Sequence, residues 1–305
     1  MTFFHPSGRK DWPAGHRPDQ VLELPANPQL QNLAALIPDL VYASPGGHDQ
    51  HVSLLVPWTH LPDRTDKTRL PLVVFVQGSA WTTPNRHFEI PQLSPFARQG
   101  LIVASVTHRS CLEGHPFPAY LQDVKTAIRF LRSQADRYGI DPERVAVWGT
   151  SSGGNAALLA GLTGDDPAYR TAEHEAISDR VSTVIDCFGP ADVGQLYQLA
   201  SQLMPDDPIM TIFRGLAGEN DPLAVMEAMS PSRQLRAGQR YPSFLLAHGD
   251  QDMTVPYEQS AKLHQQMLEL GLDAHLIHVL GAPHEGSFWS EDLLGLFAGW
   301  LKEKL

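Results

Sequence analysis

The chain has 305 residues, 42% of them hydrophobic and 19% charged, a balance typical of a globular enzyme with one large domain or two small ones. Its formal net charge of −11 at pH 7 argues against a nucleic-acid partner and an anionic membrane surface. With two cysteines, Cys111 and Cys187, no disulfide framework is indicated. The amino terminus has no apolar segment of signal-peptide length and no run of about 18 apolar residues occurs, so we expect a cytoplasmic protein that does not span a membrane.

Proline and polar residues dominate residues 1–38, which we expect to form an irregular leader packed on a catalytic domain of residues 39–305. Two strands are predicted at 40–43 and 52–56. Continuous apolar runs predict further strands at 72–76, 101–106, 145–148, 181–188, 244–247 and 275–279. Helical patterns alternate with them at 119–138, 155–162, 257–270 and 292–305. This alternation predicts an α/β fold, with a mostly parallel central sheet of about eight strands covered by helices on both faces.

Residues 191–240 interrupt the alternation between two of the predicted strands. The segment is helix-like but is broken by Pro205, Pro208, Pro222 and Pro231. Insertions at this point of an open parallel sheet usually lie over the carboxyl ends of the strands, where ligands bind. We therefore expect a small helical cap.

The sequence Gly149-Thr-Ser151-Ser-Gly153 lies between an apolar run and a helix-forming run. A serine at a sharp strand-to-helix turn stands clear of the sheet, where a base and an oxyanion site can reach it. Glycines two residues away on either side allow the strand and the helix to approach closely. The pattern predicts that Ser151 is a nucleophile. The alternatives are a plain glycine-rich turn and a phosphate loop, although the spacing lacks the Gly-x-Gly-x-x-Gly of a phosphate loop.

A serine nucleophile needs a general base and a carboxylate that orients the base. His284 lies in a loop of glycine and proline directly after the last predicted strand, whereas His275 and His278 lie within that strand and are expected to be packing or edge residues. Asp250 and Asp252 follow the preceding strand. We expect Asp252 to project toward the site and Asp250 to bind amides of the tight turn. Because aspartate commonly binds turn amides, the alternative is that both carboxylates do so.

The negative charge of an acyl intermediate needs preformed N–H donors. One is expected to be the backbone N–H of Ser152, at the amino terminus of the helix that follows Ser151. The others are expected in the loop after the strand at 72–76, which reads Gln77-Gly-Ser-Ala-Trp81 and whose small residues let the backbone approach a ligand. An ordinary strand-end turn is the alternative for this loop.

Several longer motifs contain these candidate residues or lie between them in the chain. They are Gly78-Ser-Ala-Trp81, Phe117-Pro-Ala with Asp123, the stretch from Tyr138 to Gly154, Asp186-Cys-Phe-Gly-Pro-Ala-Asp192, His248-Gly-x-x-Asp252-x-x-Val-Pro and the loop at His284. On these motifs, from about residue 72 to residue 300, the chain resembles the esterase and lipase branch of the α/β-hydrolases, which contains acetyl, feruloyl and short-chain carboxylesterases. The resemblance implies that Ser151 is the nucleophile, Asp252 the orienting carboxylate and His284 the base. It also implies oxyanion donors at Ser152, Ser79 and Ala80.

One motif departs from this family. The family usually has His-Gly-Gly-Gly or His-Gly-Gly-Ala before the aromatic residue, but this chain has Gln77 in place of the histidine and Ser79 in place of a glycine. If that position requires a positive φ, Ser79 carries a cost of roughly 1–2 kcal/mol. Otherwise the loop follows a different path and the second oxyanion donor changes.

The function expected from these residues is that of a serine carboxylesterase acting on short-chain or aromatic esters of the acetyl or feruloyl type through an acyl-enzyme intermediate. The partner is a small-molecule ester, and the sequence leaves a homodimer open. No metal or organic cofactor is expected, because a turn and a triad explain His248, Asp250 and Asp252 better than a metal cluster does. Aromatic residues are expected to bind the substrate: Trp81, Phe117, Phe188, Tyr197, Phe213, Phe288 and Trp289.

Other functions share this fold. The predicted cap is too short for a deep lipase lid, which disfavours long-chain triglycerides. An arylformamidase has the same fold, size and triad, and a small peptidase or amidase has the same triad but usually an additional large domain. A non-catalytic binding protein of this fold usually lacks a triad residue, and none is missing here.

Overall fold

The computed structural model describes residues 14–65 and 68–305. Its centre is an eight-stranded sheet with the strand order β1-β2-β4-β3-β5-β6-β7-β8. The strands are β1 (Ala34–Ala43), β2 (Gln50–Pro57), β3 (Leu70–Val76), β4 (Ile102–Val106), β5 (Ile140–Thr150), β6 (Thr183–Cys187), β7 (Ser243–Gly249) and β8 (Ala274–Val279). Strand β2 pairs with β1 and with β4 in antiparallel fashion. Along the strand order from β4 to β8, every neighbouring pair is parallel. The predicted α/β fold class is therefore confirmed.

Helices cover both faces of the sheet because its strands are apolar on both sides. In β3, Leu72, Val74 and Val76 face one hydrophobic cluster, whereas Val73 and Phe75 face the other. Each parallel pair also needs a crossover connection, which a helix supplies. The helices are α1 (Ile90–Arg98), α2 (Ala119–Ser133), α3 (Ala135–Tyr138), α4 (Ser152–Leu162), α5 (Val193–Leu203), α6 (Ile209–Ala217), α7 (Pro222–Ala228), α8 (Glu258–Glu269) and α9 (Glu291–Lys304).

The two layers of helices pack against different hydrophobic clusters, one on each face of the sheet. Helices α2, α4 and α8 pack on the face that carries Val74, and α1 and α9 pack on the face that carries Phe75. Helix α4 is buried along its whole length, as its uniformly apolar sequence predicts. Among the helices in the described ranges, none is both long enough and apolar enough to cross a bilayer.

The boundary expected between leader and domain, at residues 38 and 39, falls inside a strand. Strand β1 begins at Ala34, and its register with β2 shifts between Ile37 and Leu40, where Asp39 has a φ of +58°. This irregularity and the exposure of the edge strand interrupt the alternating pattern by which a strand is predicted from sequence. Residues 14–33 have no helix or strand and are mostly exposed rather than packed on the domain; residues 1–13 lie outside the described part of the chain.

Helices α5, α6 and α7 occupy the segment 191–240, between β6 and β7, for which a helical cap is predicted. Helix α6 packs against the loop that follows β4. A Cβ atom at Gly215 would lie only 2.8 Å from the carbonyl oxygen of Cys111, and the Phe117 N–H donates to the Leu216 carbonyl. The segment is thus attached to a loop at the same edge of the sheet as the candidate site.

Candidate active site

Ser151 occupies a strained turn between β5 and α4. Its φ of 53° and ψ of −124° lie in a region that L-residues rarely adopt, at a cost of about 1–3 kcal/mol. A Cβ atom at Gly149 would lie 1.9 Å from the Gly153 carbonyl oxygen, and one at Gly153 would lie 2.0 Å from the Val76 carbonyl oxygen. Both glycines are therefore required by close backbone contacts, which hold the serine at the carboxyl edge of the sheet.

His284 connects Ser151 to Asp252. Its Nε2 atom lies 2.9 Å from the Ser151 Oγ, and its Nδ1 atom lies 2.6 Å from the Asp252 Oδ2. Because the carboxylate can only accept, Nδ1 carries the hydrogen, which leaves Nε2 free to accept the serine proton. The ring of Phe188 lies 4.7 Å from the imidazole, centroid to centroid, and supports it from one side.

Asp252 is held by the loop that follows β7. Its Oδ1 accepts hydrogen bonds from the backbone N–H groups of Thr254 and Val255, at 2.8 and 2.9 Å. Burial alone would raise the pKa of Asp252, but hydrogen bonds from His248, His284 and the backbone outweigh this effect and lower the pKa well below its usual value. The side chain is therefore a carboxylate at neutral pH.

Asp250 faces away from the triad. Its Oδ1 accepts from the Gly281 N–H at 2.7 Å, and its Oδ2 lies 3.3 Å from the His278 Nε2. The structure thus gives Asp250 and Asp252 different partners. His275 and His278 lie on β8, which is an edge strand that is partly exposed and not a covered central one.

The oxyanion loop after β3 differs from the expectation for Ser79. The positive φ angles fall at Ala80 (49°) and Trp81 (57°), so the strain expected at Ser79 is displaced by one residue. The Ser79 N–H donates to the Ser152 Oγ at 2.9 Å and is already engaged within the protein. The N–H groups of Ala80 and Ser152 have no hydrogen-bond acceptor within the described ranges. Of the three predicted donors, these two are the better placed.

Gly78 brings this loop against Ser151. A Cβ atom at Gly78 would lie 2.7 Å from the Ser151 Cβ and 2.8 Å from the Thr150 carbonyl oxygen. The Gly78 N–H donates to the Thr150 Oγ1 at 2.8 Å, which ties the loop to the end of β5. The small residue thus serves the close approach that the sequence predicts.

The aromatic residues expected to bind substrate separate into two groups. Four of them are buried and pack against other side chains: Trp81, Phe188, Phe213 and Phe288. Three keep part of their surface exposed: Phe117, Tyr197 and Trp289. For the first group the contacts explain the burial, since Phe188 packs on Phe288 and the Trp81 indole donates to the Asn155 Oδ1 at 3.2 Å. Only the second group offers surface to a ligand.

Two polar residues near the triad were not selected from the sequence. His248 lies 3.2 Å from the Asp252 Oδ2, and Glu89 is buried in the loop before α1. Burial, together with the charge of Glu285, raises the pKa of Glu89 to about 8 against weaker opposing hydrogen bonds. A signal existed for His248, because it follows Leu246 by two residues and so shares a buried face of β7. Nothing in the sequence around Glu89 predicts its burial.

Residues 59–267 match the BD-FAE family model. Esterase LipC of Mycobacterium tuberculosis is 31% identical over 196 residues, which is 62% of this chain and 46% of LipC. Esterase LipQ of the same organism is 28% identical over 270 residues, or 88% of this chain and 61% of LipQ. A solved structure, the truncated form of a carbohydrate esterase from gut microbiota, is 28% identical with a TM-score of 0.72, and the match covers 88% of this chain and 96% of that one.

These comparisons differ in how much of each relative they cover. The chain spans 46% of LipC and 61% of LipQ, whereas it matches the solved carbohydrate esterase over nearly its entire length. The similarity to the solved structure confirms the predicted α/β-hydrolase fold.

Proposed function

The chain belongs to the BD-FAE family, and on this premise we propose that it is a serine carboxylesterase acting on short-chain or aromatic esters. The observation that carries the proposal is the position of His284, whose two ring nitrogens lie 2.9 Å from the Ser151 Oγ and 2.6 Å from the Asp252 Oδ2. This geometry suits a nucleophile, a general base and an orienting carboxylate acting in sequence. The names of LipC and LipQ, both esterases, support the same activity.

In the proposed reaction, His284 removes the Ser151 proton as the oxygen attacks the ester carbonyl. The N–H groups of Ser152 and Ala80 receive the oxyanion, and the positive end of the α4 dipole adds to its stabilisation. His284 then returns the proton to the leaving alcohol, and an acyl-enzyme forms on Ser151. Water, deprotonated by the same histidine, attacks the acyl group and releases the acid.

The substrate class rests on the partly exposed aromatic residues and on the solved relative. Phe117, Tyr197 and Trp289 are the predicted aromatic residues that keep exposed surface, and such rings suit a small apolar or aromatic acyl group. The solved relative is described as a carbohydrate esterase, which favours a sugar hydroxyl as the alcohol half. We therefore place acetyl, butyryl and hydroxycinnamoyl esters first among the substrates.

The release of p-nitrophenol from acetyl, butyryl and octanoyl esters tests this function. We expect turnover to fall from the short esters to octanoyl, and expect Ser151→Ala to reduce it by about 10³-fold or more, because the nucleophile is lost. Ser133→Ala, at an exposed serine that ends α2, is the matched control and should retain full activity.

Two results would contradict the proposal. Ester hydrolysis that persists in Ser151→Ala would exclude this serine as the nucleophile. A folded protein that hydrolyses no ester but cleaves N-formylanilides or peptide amides would instead be an amide hydrolase of the same fold.

A further inference from the structure

His248 is a buried imidazole for which the proposed reaction has no role. It lies at the carboxyl end of β7 and its side chain has no exposed surface. It is on the same face of the strand as Leu246. Its Nδ1 lies 2.7 Å from the Ser260 Oγ on α8. Its Nε2 lies 2.8 Å from the Val255 carbonyl oxygen and 3.2 Å from the Asp252 Oδ2.

These partners determine which nitrogen carries the hydrogen. A carbonyl and a carboxylate can only accept, so Nε2 must carry a hydrogen and share it between Val255 and Asp252. A hydroxyl can donate, so a neutral imidazole is satisfied when the Ser260 O–H donates to Nδ1. The two acceptors at Nε2 therefore fix the tautomer in which His248 donates toward Asp252, and the Ser260 hydroxyl satisfies Nδ1.

Asp252 is consequently surrounded by four N–H donors. Oδ1 accepts from the Thr254 and Val255 amides, and Oδ2 accepts from His284 at 2.6 Å and from His248 at 3.2 Å. A carboxylate has about four lone-pair sites, so its acceptor capacity is filled. These hydrogen bonds fix the orientation of the carboxylate. One of them comes from a side chain other than the catalytic base and stabilises the negative charge.

We infer that His248 is a positioning residue, which holds the Asp252 carboxylate toward His284 and reduces the basicity that this carboxylate confers on the imidazole. The inference rests on the proposed esterase function, although its effect on His284 can be measured without a substrate. Without the His248 donor, the Asp252 Oδ2 would be held by His284 alone, and only the two backbone amides on Oδ1 would restrain the carboxylate independently of the base. Its undiminished charge would also favour the protonated form of His284.

Charged and titratable groups face this pair from several elements. Asp186 on β6 interacts with His248 electrostatically, and its pKa is raised to about 7 by burial against the opposing effect of His248 and a backbone hydrogen bond. The Tyr257 ring lies 6.0 Å from that of His248. Glu285, next in the chain to His284, is exposed. None of these groups donates a hydrogen bond to Asp252 in the described part of the chain, where its side-chain donors are His248 and His284.

Three variants of the full chain test the inference. His248→Leu removes the donor, and His248→Gln keeps an N–H near the position of Nε2. His275→Leu, on the exposed edge strand β8, is the matched control. For each variant we would measure kcat and KM against pH on p-nitrophenyl acetate, the melting temperature, and the titration of the His284 ring protons by NMR, with the resonance assigned through His284→Gln.

For His248→Leu we expect kcat to fall by roughly 10- to 100-fold with little change in KM, because the triad is misplaced rather than the substrate. We also expect the acid limb of the kcat/KM profile to move to higher pH than in the unmodified protein, by roughly 0.5 pH unit, and the NMR titration curve to move in the same direction. His248→Gln should restore most of kcat and most of the original pH profile. His275→Leu should change neither.

An unmoved His284 titration in His248→Leu overturns the inference, as does an unchanged kcat. The inference is also overturned if His248→Leu and His248→Gln lose kcat equally and in proportion to their loss of melting temperature. That result would indicate that His248 acts through packing. If the unmodified protein hydrolyses no ester, the esterase proposal fails on that result alone, and the NMR titration decides the role of His248.

Discussion

At the scale of single residues, the site depends on which of two neighbouring carboxylates faces the base. Asp252 is buried and receives N–H groups from the loop and from two histidines, whereas Asp250 is exposed and binds a turn amide. Both lie after the same strand, separated by one residue. Their different environments follow from the tight turn at the end of β7, which directs successive side chains to different sides.

The two carboxylates should therefore respond differently to neutralisation. We expect Asp252→Asn to reduce kcat by about 10³- to 10⁴-fold, because an amide no longer stabilises the charged imidazole or selects its tautomer. Asp250→Asn should stay within a few-fold of the unmodified enzyme, since its amide oxygen can still accept from Gly281. Steady-state kinetics on p-nitrophenyl acetate decide between them, and a larger loss in Asp250→Asn would reverse the assignment of the orienting residue.

The proximity of Ser151, Asp252 and His284 could be predicted from the sequence, but the path of the loop after β3 could not. Ser151, Asp252 and His284 each follow a predicted strand directly, so their order and loop positions indicate a common edge. The path from Gln77 to Trp81 depends on tertiary contacts, such as the Ser79 N–H on the Ser152 Oγ. No local pattern predicts that positive φ falls at Ala80 and Trp81 and not at Ser79.

At the scale of elements, the approach of β5 and α4 to β3 sets the geometry of the nucleophile. Gly153 is the first point at which α4 meets β3, since a Cβ there would overlap the Val76 carbonyl oxygen. The overlap involves backbone atoms, which cannot move aside as a flexible side chain can. The helix and strand therefore cannot accommodate even one methyl group at this position.

We expect Gly153→Ala to destabilise the protein by about 3 kcal/mol and to lower the activity of the folded fraction, because relief of the overlap displaces the Ser151 turn. Gly299→Ala is the matched control. Gly299 lies in α9 with no atom within 4 Å of an added Cβ, and alanine there should add up to about 1 kcal/mol of stability. Urea denaturation of both variants measures the difference. Equal stabilities would show that the backbone contact at Gly153 is not rigid.

Most elements could be predicted because their strands are continuously apolar and their helices end at clear signals. Gly139 directly follows the end of α3 and Gly271 lies two residues after the end of α8, and both glycines have positive φ. The start of the edge strand β1 was harder to predict. This part contains Pro38 and an irregular register at Asp39, so only residues 40–43 were predicted as a strand.

At the scale of the whole molecule, the parallel sheet assembles a site from residues far apart in sequence. Ser151 and His284 are separated by 133 positions, yet both lie at the carboxyl edge of the strands, beside the loop after β3. The strand order places β5 between β3 and β6, so the segments that follow these strands are neighbours at that edge. The fold thus accounts for the geometry of the candidate site.

The most direct test of the account is covalent trapping of the nucleophile. The protein would be treated with diethyl p-nitrophenyl phosphate, and the adduct located by intact mass and peptide mapping. We predict one diethylphosphoryl group per chain, on Ser151, with release of one equivalent of p-nitrophenol, and no adduct in Ser151→Ala. An unreactive folded protein, or an adduct on another residue such as Ser152, would contradict the assignment of Ser151 as the nucleophile.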